Sequence, residues 1–376
     1  MLLPIYLDYA ATTPLDPRVV EKMMQYLTRE DTYGNPSSTH LFGQKAKNAI
    51  DVAREQVADL IEAEPSEIIW TSGATEANNL ALKGAAALYK NKGKHIVTVK
   101  TEHPSVLDCC QQLEKEGFSV TYLTPQTNGL IDVDQLHTAL RADTILVSIM
   151  HVNNEIGVIQ DIKRLAELTS TRGVLFHVDA AQSAGKISFS LNDLPIDLMS
   201  FSAHKIYGPK GIGALYVRRK PRVKVAALIH GGGHERGMRS GTLATHQIVG
   251  MGEAFYLAKN EMKDNQHKIA ELRSYFISQL SALKSITLNQ SIEHCIANII
   301  NLRINQIPSA KLMQLLPNIA ISAGSACHAK DTEPSYVLRA LGYNKEEAAC
   351  AVRLSLGKFT TKEQITDVVA QIARVI

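Results

Sequence analysis

The sequence lacks the features that would place the protein in a membrane, in a secretory pathway or on nucleic acid. No apolar run in its 376 residues approaches the roughly 20 residues that span a bilayer. The first ten residues, MLLPIYLDYA, carry no basic segment and have an early proline, so we expect no signal peptide. A formal net charge of +3 is too small to favour nucleic acid as a direct ligand. These absences predict a cytoplasmic protein.

Cysteine is also scarce, and its pattern is unlike that of a disulfide framework or a metal site. The five cysteines are an odd number without paired spacing, and neither CxxC nor HExxH occurs. We therefore expect free thiols in a reducing compartment and no metal. Cys109, Cys110, Cys295 and Cys350 fall within helical or strand patterns, where a buried and inert thiol is the usual outcome.

From residue 67 onward, short apolar runs alternate with amphipathic helical patterns. This alternation predicts an α/β fold with a mainly parallel sheet that helices cover on both faces. A long helical region at about 246–283 and a shorter set of strands and helices after it predict a smaller α+β unit. The strands that we predict for the large sheet lie at 68–70, 94–99, 118–123, 145–150, 174–178, 198–201 and 215–217.

Polar residues follow several of these runs, at the strand ends where parallel sheets bind ligands. Lys205 comes after an apolar strand and before the turn GPKGIG. A lysine enclosed there can become a nucleophile that forms Schiff bases, although a single loop lysine is more often an ordinary surface residue. Asp179 ends another strand and suits a cationic partner such as a pyridinium nitrogen, or else it caps the next turn.

Two further motifs fit an aromatic, phosphorylated ligand. The segment SGATE at 72–76, which includes Thr75, is placed where backbone amides at a helix start can hold a phosphate, with a plain helix cap as the alternative. His103 could stack on an aromatic ring and shuttle protons, or could be an ordinary polar loop residue. With Lys205 and Asp179, these motifs form the set that pyridoxal phosphate requires.

Cys327 differs from the other cysteines because it lies in SAGSACHAKDTEP, at 322–334. Small residues, a glycine and a proline predict a mobile loop there. His328 and Lys330 place potential positive charge beside the thiol, which favours the nucleophilic thiolate. The alternative is a buried and inert cysteine.

Taken together, the motifs resemble those of the cysteine desulfurases of the IscS/NifS type, pyridoxal-phosphate enzymes with the class V aminotransferase fold. The resemblance runs nearly from end to end. It is carried by YLDYAATTP at 6–14, TSGATEANNLA at 71–81, TEH at 101–103, HVNNEIG at 151–157, HVDAAQS at 177–183, SFSAHKIYGPKG at 200–211, GGGHERGMRSGT at 231–242, GSAC at 324–327, EPSYVLRALG at 333–342 and RLSLGKFTT at 353–361.

The resemblance implies a fold type I pyridoxal-phosphate transferase, with a seven-stranded, mainly parallel sheet in a large domain and a smaller α+β domain beside it. We expect the large domain at 15–255. The small domain would combine 1–14 with 256–376 and carry the catalytic cysteine loop at about 323–333.

The family's functional residues map onto the matching motifs. The resemblance implies that Lys205 is the Schiff-base lysine, that Asp179 meets the ring nitrogen and that His103 lies over the ring. It implies that Arg353 binds the substrate carboxylate, for which a planar guanidinium is suited, and that Cys327 accepts sulfur. The other implied contacts are Gln182 and Asn154 near the ring hydroxyl and the substrate, and Ala74, Thr75, Ser202 and His204 around the phosphate, joined by Thr242 from the second subunit of a homodimer.

The implied activity is the conversion of L-cysteine to L-alanine with a persulfide on Cys327. The sulfur would pass to protein acceptors, an iron–sulfur scaffold or a sulfurtransferase for tRNA thiolation. Close relatives usually have a small hydroxyl residue and a glycine where this chain has His328 and Ala203, and we expect His328 to alter the pKa of the thiol or the choice of acceptor. Longer members continue past the position of Ile376 into an extension that docks the scaffold.

Three other functions are compatible with parts of the pattern. A selenocysteine lyase would share the site and prefer selenium, and an aminotransferase would have no use for the loop cysteine. A sulfur-relay subunit without catalysis is expected to lose Lys205, Asp179 or Cys327, and all three residues are present.

Overall fold

The computed structural model describes residues 4–29, 32–289, 292–324 and 334–376. Its strands, numbered along the chain, are β1 (Ile5–Tyr6), β2 (Ile68–Thr71), β3 (His95–Val99), β4 (Ser119–Leu123), β5 (Thr144–Ser148), β6 (Leu175–Asp179), β7 (Leu198–Ser202), β8 (Gly213–Val217), β9 (Ile286–Leu288), β10 (Ile299–Ile304), β11 (Ile319–Ala320) and β12 (Ala351–Ser355).

Helices occupy most of the chain between these strands. They are α1 (Pro17–Met24), α2 (Leu41–Ile61), α3 (Ala74–Tyr89), α4 (Pro104–Lys115), α5 (Val133–Ala139), α6 (Ile162–Thr171), α7 (Thr245–Leu280), α8 (Ser309–Leu315), α9 (Tyr336–Ala340), α10 (Lys345–Ala349) and α11 (Lys362–Ala373). A single 3₁₀ turn, Ala203–Lys205, follows β7 directly.

Seven strands form the large sheet, in the order β2-β8-β7-β6-β5-β3-β4. The neighbours from β7 to β4 are parallel, and β8 runs antiparallel to both β7 and β2. Strands β3, β5 and β7 are buried at every position, as expected for a sheet covered on both faces. The predicted α/β class and the seven-stranded, mainly parallel sheet are therefore confirmed.

Helices pack against both faces of this sheet. On one face, α2 and α7 contribute Ile50, Val57 and Phe255 to a core that includes Phe176 of β6. On the other face, α3 and α4 pack Leu80 and neighbouring side chains against β3, β5, β7 and β8. The two layers hold the carboxyl ends of β6 and β7 in fixed positions, and the first residues of α3 and α4 lie at the same edge.

A second group of elements surrounds a separate core. Strands β12, β10 and β9 form an antiparallel sheet, and β1 pairs in parallel with β11. Their apolar side chains pack with α11 and with the last turns of α7, where Leu272, Phe276 and Leu280 are buried. No helix in the described ranges is long and apolar enough to cross a membrane.

Candidate active site

A cavity of about 420 Å³ opens at the carboxyl ends of β6 and β7, beside the first turns of α3 and α4. This is the edge of the sheet at which the sequence places its polar motifs. Every predicted site residue except Thr242 and Cys327 lines this cavity. The predicted residues that line the cavity are Ala74, Thr75, His103, Asn154, Asp179, Gln182, Ser202, His204, Lys205 and Arg353.

Lys205 ends the 3₁₀ turn that follows β7, so its side chain leaves the sheet at a strand end. Its Nζ donates hydrogen bonds to the carbonyl oxygens of Ala10 and Ala11, at 2.6 and 2.7 Å. These carbonyls come from the segment after β1, which the tertiary fold brings to the cavity wall. The ammonium group is thereby held at the cavity surface.

Asp179 is the last residue of β6 and is only 5% exposed. Its Oδ2 accepts a hydrogen bond from Asn78 Nδ2 at 2.8 Å, and its Oδ1 accepts one from the backbone N–H of Ala181 at 2.9 Å. A carboxylate has further lone pairs beyond these two bonds. A cation in the cavity could therefore interact with the Asp179 carboxylate in addition to these two donors.

His103 is the N-cap residue of α4, and its ring orientation is fixed on one side. Its Nδ1 accepts a hydrogen bond from the backbone N–H of Ser105 at 3.1 Å and lies 2.9 Å from the Ser105 hydroxyl. Ser105 also accepts a hydrogen bond from Asn78, the residue that contacts Asp179. One connected network therefore joins the histidine and the aspartate.

The start of α3 provides the features of an anion site. Gly73, its N-cap residue, has a φ of +153°, and a Cβ placed there would have no atom within 4 Å. The N–H groups of a first helical turn point outward and attract negative charge. Ser202 at the end of β7 is buried, and its Oγ has no hydrogen-bond partner within the described chain.

His204 lies near this anion site as a neutral ring. Burial lowers its pKa to about 4, and the nearby positive charge of Lys205 acts in the same direction. Its Nδ1 is 3.1 Å from Thr12 Oγ1. A neutral imidazole at pH 7 can donate or accept one hydrogen bond without adding charge to the cavity.

Gln182 and Asn154 supply amide groups to the cavity. Gln182 Nε2 donates to the carbonyl of Ala10 at 2.8 Å, and its Oε1 accepts from Lys186 Nζ at 2.9 Å. The Oδ1 atom of Asn154 is buried and has no hydrogen-bond partner among the residues that the structure describes. Buried polar atoms are seldom left unpaired, which indicates a ligand contact here.

Arg353, on β12, brings the second core into the same cavity. It is only 2% exposed; its Nη2 forms an ion pair with Asp8 Oδ1 at 2.7 Å, and its Nη1 donates to the carbonyl of Asn154 at 2.9 Å. The guanidinium already binds one carboxylate, and it lines the cavity as well. Its planar donor set suits a second carboxylate.

Two predicted residues do not line the cavity. Thr242 is exposed and lies outside the lining formed by this chain. Cys327 lies outside the described residues, as do His328 and Lys330, so the predictions for the loop stay predictions.

The other four cysteines are poor candidates for a nucleophile. Burial raises the pKa of Cys109 and of Cys295 to about 11, and it raises the pKa values of Cys110 and Cys350 as well. A raised pKa keeps these thiols protonated at neutral pH, and the thiolate is the reactive form. No cluster of potential metal ligands occurs in the described part of the chain.

Several residues at the site were missed by sequence reasoning. Asp8 pairs with Arg353, Asn78 holds Asp179, and Lys186 contacts Gln182. Asn78 had a detectable signal, because it is a fully buried polar residue within the otherwise apolar face of α3. Asp8 and Lys186 had no such signal in the sequence. The partner of Asp8 is far away in sequence, and the partner of Lys186 lies across a turn.

Comparisons with known proteins show which family the chain belongs to. The family model for the class-V aminotransferases matches residues 5–368. A cysteine desulfurase IscS from Escherichia coli is 59% identical over 366 residues, which cover 97% of this chain and 91% of the relative.

Solved structures show the same likeness. A NifS-like protein has a TM-score of 0.93 and 36% identity, with 99% of each chain covered. A structure of SspA in complex with cysteine has a TM-score of 0.84 and 40% identity, with 95% of this chain and 100% of that one covered. The chain therefore belongs to the class-V aminotransferase family and, within it, to the cysteine desulfurases of the IscS type.

Proposed function

We propose that the protein is a pyridoxal-phosphate-dependent cysteine desulfurase, which converts L-cysteine to L-alanine and leaves the sulfur as a persulfide on Cys327. The observation that carries this proposal is the single cavity onto which Lys205, Asp179 and Arg353 all face. A lysine, a carboxylate and a guanidinium in one cavity suit, respectively, an aldehyde, a ring cation and an amino-acid carboxylate.

The residues present fit pyridoxal phosphate. The open N-terminus of α3 and the unpartnered Ser202 hydroxyl would hold the phosphate, together with Ala74, Thr75 and His204. At the other end, the buried carboxylate of Asp179 would hold a proton on the ring nitrogen. Gln182 and Asn154 would contact the ring hydroxyl and the substrate. When bound, the cofactor supplies an electron-withdrawing ring that makes the α-proton of the substrate acidic.

Arg353 would bind and orient the substrate by its carboxylate. Its ion pair with Asp8 fixes the guanidinium plane, and the hydrogen bond to the carbonyl of Asn154 places the plane beside the cavity. A bidentate contact of this kind sets the direction of the α-carbon as well as the affinity. Substrate binding and proton transfer therefore depend on the same rigid residue.

Lys205 would take the α-proton of the bound amino acid. The carbonyls of Ala10 and Ala11 hold its Nζ at the cavity wall, within reach of a substrate that Arg353 orients. His103, fixed by Ser105, would cover the ring face and exchange protons with the reacting groups. Both residues are partly buried.

The sulfur step would use the Cys327 thiolate as a nucleophile. The thiolate attacks the sulfur of bound L-cysteine, an S–S bond forms, and the carbon–sulfur bond breaks. The electron pair of the broken bond stays with the β-carbon, which takes a proton and becomes the methyl group of L-alanine. Atoms and electrons balance, because one cysteine and one thiol give one alanine and one persulfide.

The biological setting of this activity is proposed on the resemblance and on composition. The persulfide sulfur would pass to protein acceptors, an iron–sulfur scaffold or a sulfurtransferase for tRNA thiolation. The enzyme would act as a homodimer in the cytoplasm, where its five cysteines would stay reduced. Neither nucleic acid nor a membrane would be a direct partner.

The test is release of L-alanine and sulfide from L-cysteine in the presence of a reductant. Wild type, Cys327→Ala and the matched control Cys350→Ala are compared after loading with pyridoxal phosphate. We expect alanine and sulfide from wild type and from the control. We expect neither product from Cys327→Ala, although the variant still binds the yellow cofactor.

Two outcomes would contradict the proposal. Turnover by Cys327→Ala at the wild-type rate would exclude Cys327 as the acceptor. A wild type that binds cofactor but releases alanine only from selenocysteine would identify a selenocysteine lyase instead.

A further inference from the structure

A second cavity, of about 360 Å³, shares Lys205 with the active-site cavity. It is bounded by the segment 185–187, by residues 262–270 of α7, by the segment 295–298 and by the residues that follow β12. Its volume falls within the range of about 300–1,000 Å³ that small-molecule sites occupy. None of the residues assigned to the reaction, apart from Lys205, lines it.

The walls of this second cavity are apolar, and its charged groups all have one sign. Ile159, Ile187, Met262, Ile269 and other apolar side chains form most of the lining. The charged residues of the lining are lysines, and no acidic residue occurs among the described residues that face the cavity. Such a combination favours a ligand with an apolar body and a negative charge.

Lys186 is the cation best placed to meet that charge. Its Nζ donates to Gln182 Oε1 at 2.9 Å, a neutral acceptor, whereas Lys358 of the same lining is paired with Asp16. Burial, with Lys205 and Arg353 nearby, lowers the pKa of Lys186 to about 7. A carboxylate beside Lys186 would restore the charged form and gain a charge-assisted hydrogen bond.

Asn298 gives a second and independent sign of a ligand. Asn298 is one of the residues that line the cavity, and it is only 6% exposed. Its Oδ1 is buried and accepts no hydrogen bond from any residue that the structure describes. An orphaned acceptor of this kind calls for a donor, such as a hydroxyl group on the ligand.

We propose that the second cavity binds a small apolar monocarboxylate that carries a hydroxyl group. Its carboxylate contacts Lys186, its hydroxyl donates to Asn298, and its apolar body lies against α7. This site is separate from the proposed reaction and does not depend on it. Lys186 also donates to Gln182, which lines the active-site cavity. A ligand bound to Lys186 in the second cavity is therefore linked to the active-site wall through these two side chains.

Calorimetric titration of the cofactor-loaded chain tests the proposal. The probes are 2-hydroxy-4-methylpentanoate, its analogue 4-methylpentanoate, which lacks the hydroxyl, and 4-methylpentan-1-ol, which lacks the charge. We expect one saturable site per chain for the hydroxy acid and binding at least about tenfold weaker for the alcohol, since it lacks the charged contact.

Four variants place the binding within the molecule. Lys186→Met and Ala297→Leu, which fills the cavity, should each weaken binding of the hydroxy acid about tenfold or more. Asn298→Ala should remove the preference for the hydroxy acid over 4-methylpentanoate. Arg353→Lys, in the active-site cavity, should leave the affinity unchanged.

Several results would overturn the proposal. They are the absence of saturable binding, equal affinity for the acid and the alcohol, or binding that Arg353→Lys abolishes while Ala297→Leu leaves it intact. The last result would place the carboxylate in the active-site cavity. If Lys186→Met fails to fold, the affinities of wild type and of Ala297→Leu for the hydroxy acid and for the alcohol still test the proposal.

Discussion

A buried histidine at the centre of the sheet couples the stability of the protein to pH. His177 of β6 has Nδ1 2.8 Å from the Ser148 hydroxyl on β5 and Nε2 2.9 Å from the Ser200 hydroxyl on β7. Burial lowers its pKa from 6.5 to about 4. Between these two values the unfolded chain binds a proton that the folded chain does not, so the free energy of unfolding falls as pH falls from about 6.5 to 4.

We expect His177→Gln to reduce this pH dependence. One proton fewer is taken up on unfolding, so the slope of the free energy of unfolding against pH should fall by up to about 1.4 kcal/mol per pH unit in this window. His151 and His204, whose pKa values burial also lowers to about 4, maintain the remaining slope. The measurement is denaturant unfolding at a series of pH values.

A second substitution at the same position, His177→Asn, provides the control for this experiment. It should lower the slope by the same amount as His177→Gln, because both variants lack the imidazole. An unchanged slope in His177→Gln would show that the imidazole titrates in the folded state as it does in the unfolded chain.

Residues at strand ends were predictable from the sequence, and their partners were not. Lys205 and Asp179 follow apolar runs directly, and parallel strands bring their ends to one edge, so their meeting in one cavity follows from local pattern alone. The contact of Asp8 with Arg353 depends on how distant segments pack. No local periodicity encodes that packing.

At the scale of elements, the packing of α7 on α2 depends on a glycine. A Cβ at Gly252 would lie 2.6 Å from both the Cα and the Cβ of Ala53 on α2, so the two helices would have to separate. At Gly250, two residues earlier on the same helix, the nearest atoms belong to the flexible end of Met23. Gly250 therefore serves as the control position for a substitution at Gly252.

We expect Gly252→Ala to lower the free energy of unfolding by about 1–3 kcal/mol, since overpacking a rigid contact costs that much. Gly250→Ala should stay within about 1 kcal/mol of wild type, because the gain in helix propensity offsets the movement of the Met23 side chain. Denaturant unfolding of both variants measures the difference. Equal destabilisation by the two substitutions would refute the role of the Ala53 contact.

Long apolar elements were predicted well, and short or half-buried ones were not. All seven strands of the large sheet and the helix α7 were predicted within a few residues. The short elements α5, α8, α10 and β9 were missed, because one or two turns of a half-exposed segment carry little periodicity. The antiparallel direction of β8 was not predictable from the sequence, because the residue pattern of a buried apolar strand is the same in either direction.

The boundary between the two predicted domains falls inside a continuous helix. We propose the division into 15–255 and 1–14 with 256–376 as the functional one, with α7 as the shared element. Its first half contributes Ile248 and Phe255 to the core beside the large sheet, and its last turns contribute Phe276 to the other core. A helix that enters both cores would transmit motion of one domain to the other as a rigid body.

On the scale of the whole molecule, one predicted contact requires a second chain. Thr242 is exposed and does not line the cavity of its own chain. Leu228 and Ile229, in the segment that leads to it, are 40% and 42% exposed. Exposed apolar residues beside a predicted phosphate contact are what a face between two copies of the chain would present.

Mixed dimers test whether Thr242 serves the site of its partner. The mixed dimer has one Lys205→Ala chain and one Thr242→Val chain. If Thr242 serves the site of the partner chain, one site carries both substitutions and the other site carries neither. We expect that intact site to bind pyridoxal phosphate with wild-type affinity, whereas homodimers of Thr242→Val bind it about tenfold more weakly, since a hydrogen bond to a charged group is lost. Cofactor titration of tagged and purified mixed dimers gives the affinity at each site. If Thr242 acted within its own chain, no site of the mixed dimer would combine an intact lysine with wild-type affinity.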